Sequence, residues 1–247
     1  MSRFRFFLFC LAMIYSNPTL SRPRRILAFS AADSPAYSKL LMNTYKIINE
    51  HSKQFEIELK FLPQKRQIVE ANGGIIDGLA AKVESNPENE EYPNLIKVPT
   101  PLFYMDLIIA IPIDEPDLVN ADFFLKNKVA MLNGAVHSRK LVPKHSRVFV
   151  NTHLSGFLMV AAKRVPAMST LAIAYYVTAN ESTEVAEKTR LAEFKVKEPF
   201  YMFVHFKNRE LVSELNALLT AESVASKMQK ACDDLIAELK MAQKMKK

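Results

Sequence analysis

Hydrophobic and polar positions along this chain repeat with two periods, and the switching between them predicts alternating strands and helices. Arg25-Ile26-Leu27-Ala28-Phe29-Ser30 carries charge only at its entry and reads as a buried first strand. Ser34-Pro35 is a helix start, with serine at the N-cap and proline at the first helical position. Tyr37, Leu40, Leu41, Thr44, Tyr45 and Ile48 then recur at three- and four-residue spacing, the stripe of a helix packed on a sheet. Phe55 to Leu62 alternates with period two, a strand with one wet face. Gln64 to Ala71 reads as a short helix stopped by Asn72-Gly73-Gly74, where a left-handed residue is the cheapest ending. Ile75-Ile76-Asp77-Gly78 is predicted as an apolar strand with a charged tip. Asn94 to Val98 is a further apolar run, and Asp106 to Ile113 a long strand.

Beyond Ile113 the pattern restarts. Asp114-Glu115-Pro116-Asp117 is a charged turn suited to a crossing between lobes. Strands are predicted at Lys128 to Leu132, Arg147 to Val150 and Ser169 to Val177, with helices at His137 to Val142 and Leu154 to Arg164. A helical run follows near Glu184 to Phe194. Pro199 to Phe206 reads as the return crossing. Two helices close the chain, and in the last one Val224, Met228, Ala231, Leu235, Ile236 and Leu239 share a face. Strand, helix and strand in succession is the pattern of parallel sheets with right-handed crossovers, an α/β class.

Composition adds two facts. Arg3 and Arg5, the ten-residue apolar run Phe6 to Tyr15 and the small residues Thr19 and Ser21 form the outline of a cleaved secretory signal over residues 1–21. The expectation is therefore an exported, periplasmic chain, cut near Ser21. Cys232 is then the one cysteine left, so neither an internal disulfide nor a two-cysteine metal site is available. The net charge of +7 is partly the leader's two arginines and partly Lys240, Lys244, Lys246 and Lys247 at the end, which read as a solvated helix terminus rather than a nucleic-acid arm.

The order of these elements carries a resemblance. The first strand, the Ser-Pro helix, Arg66, Asn72-Gly73-Gly74-Ile75-Ile76-Asp77-Gly78 and Tyr92-Pro93-Asn94-Leu95-Ile96-Lys97-Val98-Pro99 resemble the first lobe of bacterial extracellular solute-binding proteins of family 3, the amino-acid-type receptors of ABC transporters. Lys163-Arg164-Val165-Pro166-Ala167 resembles the second lobe, where that family usually has gly-arg-val-asp-ala, and Pro199 to Leu219 is similar to its return strand and helix. The resemblance implies a periplasmic-binding-protein-like fold of type 2: two α/β lobes joined by two crossing strands. Lobe one would be residues 22–113 plus 199–247, and lobe two residues 114–198. It implies a monomer holding a small polar solute in the interlobe cleft for a membrane permease or sensor, with no cofactor and no nucleic acid.

Two departures bear on the solute. Amino-acid receptors of this family usually hold the ligand carboxylate with an arginine after a thr-pro-glu turn. The corresponding passage here, Glu84 to Asn94, has no arginine or lysine, and Pro166 stands where the second-lobe aspartate would be. A module with a degenerate cleft that modulates a membrane sensor or enzyme is the second reading, and a fold-related lyase or hydrolase the third. Candidate ligand contacts are Phe29, Ser30 and Tyr37 after the first strand, Asp77 at the expected strand tip, and Lys82 as a substitute cation. Tyr104 near the lobe junction, Asn133-Gly134 and Asn151-Thr152 before helices complete the set. Each has a plainer alternative: core packing for Phe29 and Tyr37, an Asp-Gly turn for Asp77, a surface lysine for Lys82, helix caps for Asn151 and Thr152. The five histidines show no metal-ligand spacing, there is no Gly-x-Ser-x-Gly elbow, and five glycines leave no phosphate-cradling loop. A catalytic constellation is not expected.

Overall fold

The computed structural model describes residues 24–32, 34–84 and 93–245. The signal-peptide reading and Tyr92 lie outside them. In chain order the elements are β1 (Arg25–Ala32), α1 (Pro35–His51), β2 (Phe55–Leu62), α2 (Gln64–Asn72), β3 (Gly78–Lys82), β4 (Leu95–Lys97) and β5 (Phe103–Pro112). Then follow α3 (Ala121–Lys126), β6 (Val129–Leu132), α4 (Val136–Arg139), β7 (Arg147–Val150), α5 (His153–Ala161), β8 (Ala167–Leu171), α6 (Ala172–Glu181) and α7 (Thr183–Lys188). The chain ends with β9 (Thr189–His205), α8 (Leu211–Thr220) and α9 (Glu222–Met245).

Two α/β lobes share two long strands. In one lobe β2, β1 and β3 lie parallel, and β3 and β4 pair antiparallel with the last third of β9. In the other, β7, β6 and β8 lie parallel and β8 pairs antiparallel with β5. β5 and β9 run antiparallel from Phe103–Phe200 to Pro112–Thr189 and carry the chain between lobes. The strand path is continuous through β9, in the order β2-β1-β3-β9-β5-β8-β6-β7. The crossing lies inside β5, because Leu107 to Ala110 already pair with β8, whereas the charged 114–117 turn comes after the strand has ended. There Asp114 and Glu115 both take Lys163 as ion-pair partner.

Three readings of the sequence are corrected. Ile75 to Asp77 is a bend rather than a strand, so Asp77 precedes β3 instead of tipping it. The cause is local: the Asp77 side chain accepts the Ala28 amide, and Ile75 and Ile76 donate back to Glu70 of α2. Ser169 to Val177 is not one strand, because β8 stops at Leu171 and α6 starts at once. Tyr175, Tyr176 and Ala179 are buried there, and a segment buried on several sides has no period to read. The helical run near 184–194 ends at Lys188, and β9 begins ten residues earlier than the expected Pro199. Ser34 takes the extended N-cap geometry before Pro35, but its hydroxyl makes no capping bond. Of the paired glycines, Gly74 is the left-handed one, with φ of 73°.

The first lobe's core gathers Leu27, Phe29, Leu40, Tyr45, Phe55 and, from α9, Met228 and Cys232. The second lobe has clusters on both faces of its sheet, one around Phe157, Met168 and Tyr175, the other around Ile109, Phe124 and Met131. Burial on both faces is what parallel strands require, and it explains their unbroken apolar sequences. Ile236 and Leu239 of α9 pack against the first lobe's cluster and against the Phe157 cluster, so the last helix touches both lobes.

Candidate ligand-binding cleft

The carboxyl ends of β1, β3, β6, β7 and β8 all face one cavity of about 230 Å3. One wall is Ala32, Ser34, Tyr37, Lys82, Val83 and Phe200 of the first lobe. The facing wall is built by Gly134, Val136, His137 and His153, with Ile173 and Val177 of α6. Crevices at strand carboxyl ends are where open α/β sheets present ligands, because each strand there turns into a helix whose amides point inward. α1, α5 and α6 start at this cavity. Two larger depressions of about 590 Å3 each lie elsewhere, one around Met42, Lys46 and Glu56, the other around Pro112, Leu118 and Phe123.

The first-lobe wall is stiff. The Tyr37 hydroxyl donates to the Ala81 carbonyl at 3.2 Å, and its ring is 6.3 Å from that of Phe200, which stacks on Phe103 at 5.4 Å. Burial pushes the Tyr37 phenol far above its ordinary value, with Cys232 adding to the shift, so the hydroxyl stays protonated. The second-lobe wall is tied by Ser138, which donates to the Ser169 carbonyl and accepts from the Ser169 hydroxyl. Lys140 reaches the buried Glu198 of β9.

His137 is pushed down to about 3, first by burial and then by the neighbouring His153, Lys140 and Lys82. Burial likewise lowers His153. Both imidazoles are therefore neutral at pH 7, each with one N–H and one lone pair. Thr178, also on the cavity, donates its hydroxyl to the Ala174 carbonyl. Among the described residues no group of three His, Cys, Asp or Glu could hold a metal ion.

Of the ten sequence candidates, Tyr37, Lys82 and Gly134 line this cavity. The others do not. Phe29 is fully buried against Tyr45, and Ser30 is buried beneath the sheet surface beside Gly78. Asp77 lies at the opposite end of β3 from Lys82, about 16 Å away along a strand. It is committed to the Ala28 amide, Asn208 and Lys207. The Tyr104 backbone amide donates to the side-chain oxygen of Gln229 on α9, and its carbonyl accepts from the Gln229 side-chain nitrogen. The Asn133 amide goes to the Val150 carbonyl, Asn151 is exposed, and Thr152 caps α5 by accepting from the Ser155 amide at 3.1 Å. The sequence reading missed His137, His153 and Phe200. The strand-end rule pointed to loops that border this cavity, but His137 and His153 lie in the helices that follow them, and Phe200 lies inside β9.

No protein-family model matches the sequence, and no curated protein sequence matches it either. Solved structures do match. A histidine kinase sensor domain with similarity to periplasmic binding proteins aligns with a TM-score of 0.67 at 14% identity, covering 87% of this chain and 96% of its own. The fold is periplasmic-binding-protein-like. A probable amino-acid ABC transporter extracellular-binding protein of Bacillus subtilis aligns at 0.69 with 10% identity, covering 87% and 99% of the two chains. The periplasmic VFT2 domain of BvgS from Bordetella pertussis aligns at 0.64 with 16% identity, covering 82% and 92%. These are binding proteins and sensor domains, and at such identities they speak for the fold.

Proposed function

We propose that this chain is an exported, monomeric, periplasmic binding module of the family 3 type that captures a small polar solute in the interlobe cleft. Lobe one is 22–113 with 199–247 and lobe two 114–198, as the sequence suggests, with the hinge moved back inside β5 so that Leu107 to Pro112 go with lobe two. The observation that carries the reading is the cavity walled by both lobes at five strand ends. A solute touching both walls favours closure through contacts that exist only in the closed state. The closed pair of lobes then presents a composite surface to a membrane permease of the ABC type, without catalysis.

The second reading, a sensor or enzyme modulator, is favoured by the likeness to a kinase sensor domain over 96% of that domain's length. A lyase or hydrolase is the weakest reading, because no pair of acids lines the cavity among the described residues.

A thermal-shift screen against amino acids, polyamines, organic acids and short peptides separates the first two. A solute at about 100 times its Kd adds about 2.7 kcal/mol and raises Tm by about 5–10 °C in a chain of this size. A response confined to one solute class supports the receptor. Silence across all classes removes it in favour of the modulator.

A further inference from the structure

We propose that the far end of α9, with the start of β9 beside it, is a surface that docks on an anionic phospholipid membrane. A hollow of about 240 Å3 lies there, and it shares no lining residue with the interlobe cavity. Its walls include Ile113, Tyr176, Arg190, Leu191, Lys240 and Lys244. Lys240 and Lys244 stand one turn apart on one face of α9. Neither reaches a carboxylate among the described residues, whereas Lys230 of the same helix is paired with Asp234. Arg190 is a cation already held in place: it donates to the Glu115 carbonyl at 2.9 Å and lies 3.9 Å from Asp117. No aspartate or glutamate lines the hollow among the described residues, and the two residues that follow Met245 in the sequence are lysines.

Apolar surface accompanies the charge. Met241 and Met245 form the next row along α9, 64% and 85% exposed, and Ile113 beside the lysines is 46% exposed. Unbranched apolar side chains beside lysines are the composition of an interfacial helix, in which the chains enter the acyl boundary and the ammonium groups stay with the headgroup phosphates. An acidic peptide would satisfy the lysines and leave both methionines in water. A zwitterionic membrane would take the methionines and give the lysines no counter-charge. An anionic phospholipid surface serves both at once. Two methionines bury little area by themselves, so the attraction rests on charge and falls with salt. Docking there holds the module against the plane in which a membrane partner would sit.

The chain has no tryptophan, so Met245→Trp makes a single local reporter. Its emission should move to the blue when phosphatidylglycerol vesicles are added at low salt, and return when salt is raised to about 0.5 M. Phosphatidylcholine vesicles should leave it unchanged. In the same background, Lys240→Gln with Lys244→Gln should raise the lipid concentration at half the shift by about 20-fold, the weight of two lysines at an anionic surface. Lys53→Gln with Lys144→Gln removes the same charge from exposed positions that do not line the hollow, and should change that concentration by less than about twofold. All five positions are exposed, so the variants keep the fold. The chain without the tryptophan should sediment with phosphatidylglycerol vesicles and lose that with Lys240→Gln and Lys244→Gln, which excludes an affinity made by the reporter. No shift with phosphatidylglycerol overturns the proposal, as does an equal shift with phosphatidylcholine. An equal loss in the two lysine pairs also overturns it, since general basicity would then suffice. A shift caused by polyglutamate and not by vesicles overturns it in favour of an acidic protein partner.

Discussion

Asp77 and Asn208 lie 131 positions apart in sequence, and the Asn208 side-chain amide donates to the Asp77 carboxylate at 2.8 Å. The same carboxylate accepts the Ala28 amide at 2.9 Å and pairs with Lys207 at 3.1 Å, joining β1, β3 and the turn after β9. Asn208, itself buried, accepts from Arg25. Asp77→Ala strands the Ala28 and Asn208 donors together, and we expect a loss of about 2–4 kcal/mol in urea unfolding. Burial alone would raise this carboxyl, but the three donors outweigh it and hold it below the usual range. Its stabilisation is thus full above the unfolded carboxyl value and fades as acid drives the pH below it. A loss under about 1 kcal/mol in the variant would show that the node is ornamental.

Gly78 and Gly156 predict different costs for the same substitution. A Cβ on Gly78 would stand 2.1 Å from the Phe203 carbonyl oxygen and 2.6 Å from the Phe29 ring, in the middle of a β1–β3–β9 contact. On Gly156 it would stand 2.5 Å from the Met168 sulfur, the far end of a flexible side chain. Gly78→Ala should cost about 3 kcal/mol or more and Gly156→Ala about 1–2, compared by denaturation midpoint. Equal midpoints would contradict the argument.

Much of the first lobe was legible because its elements have one wet face: α1 and β2 show their periods. The two-lobe architecture followed from element order and a resemblance carried by short motifs. What failed is instructive. β8 and α6 form one apolar run, Ala167 to Val177, and a helix buried on several sides looks like a strand that is buried on both. Asp77 was assigned to the cleft because a strand seemed to precede it, and reversing that order moved the residue to the far end of the sheet. His137 and His153 carry no spacing signal. Only the convergence of strand ends, a tertiary fact, brings them to one cavity.

Lys163 occupies a left-handed backbone position, φ 55°, just after α5. The pattern this segment resembles has glycine there, which adopts that geometry without a Cβ penalty. Lys163 is held by ion pairs to Asp114 and Glu115, but all three side chains are about half exposed, so those pairs stabilise little. Lys163→Gly should therefore stabilise the protein by about 0.5–1 kcal/mol, read from the urea midpoint. A destabilisation would mean that the 114–115 turn depends on the lysine.

The last helix clasps both lobes. Lys39 of α1 pairs with Glu238, and the Asn180 amide of α6 donates to the Leu239 carbonyl at 2.9 Å. Ile236 and Leu239 pack on both cores. Ile236→Ala with Leu239→Ala should loosen the lobes: a larger radius of gyration by small-angle scattering and about 2 kcal/mol lost overall, since both side chains are only partly buried. An unchanged radius would place the hinge under the control of β5 and β9 alone.

His137 sets the acid response of the cleft. Its folded value, about 3, lies below the ordinary histidine value of 6.5, so between the two the unfolded chain binds a proton that the folded chain refuses. Stability from this group is full above 6.5 and is lost as pH falls toward 3, in a window above that of Asp77. From pH 7 to 4.5 it should remove about 2–3 kcal/mol, and His137→Gln should flatten that slope. A slope identical in the two chains would mean that another buried group governs the acid response and that His137 is solvated.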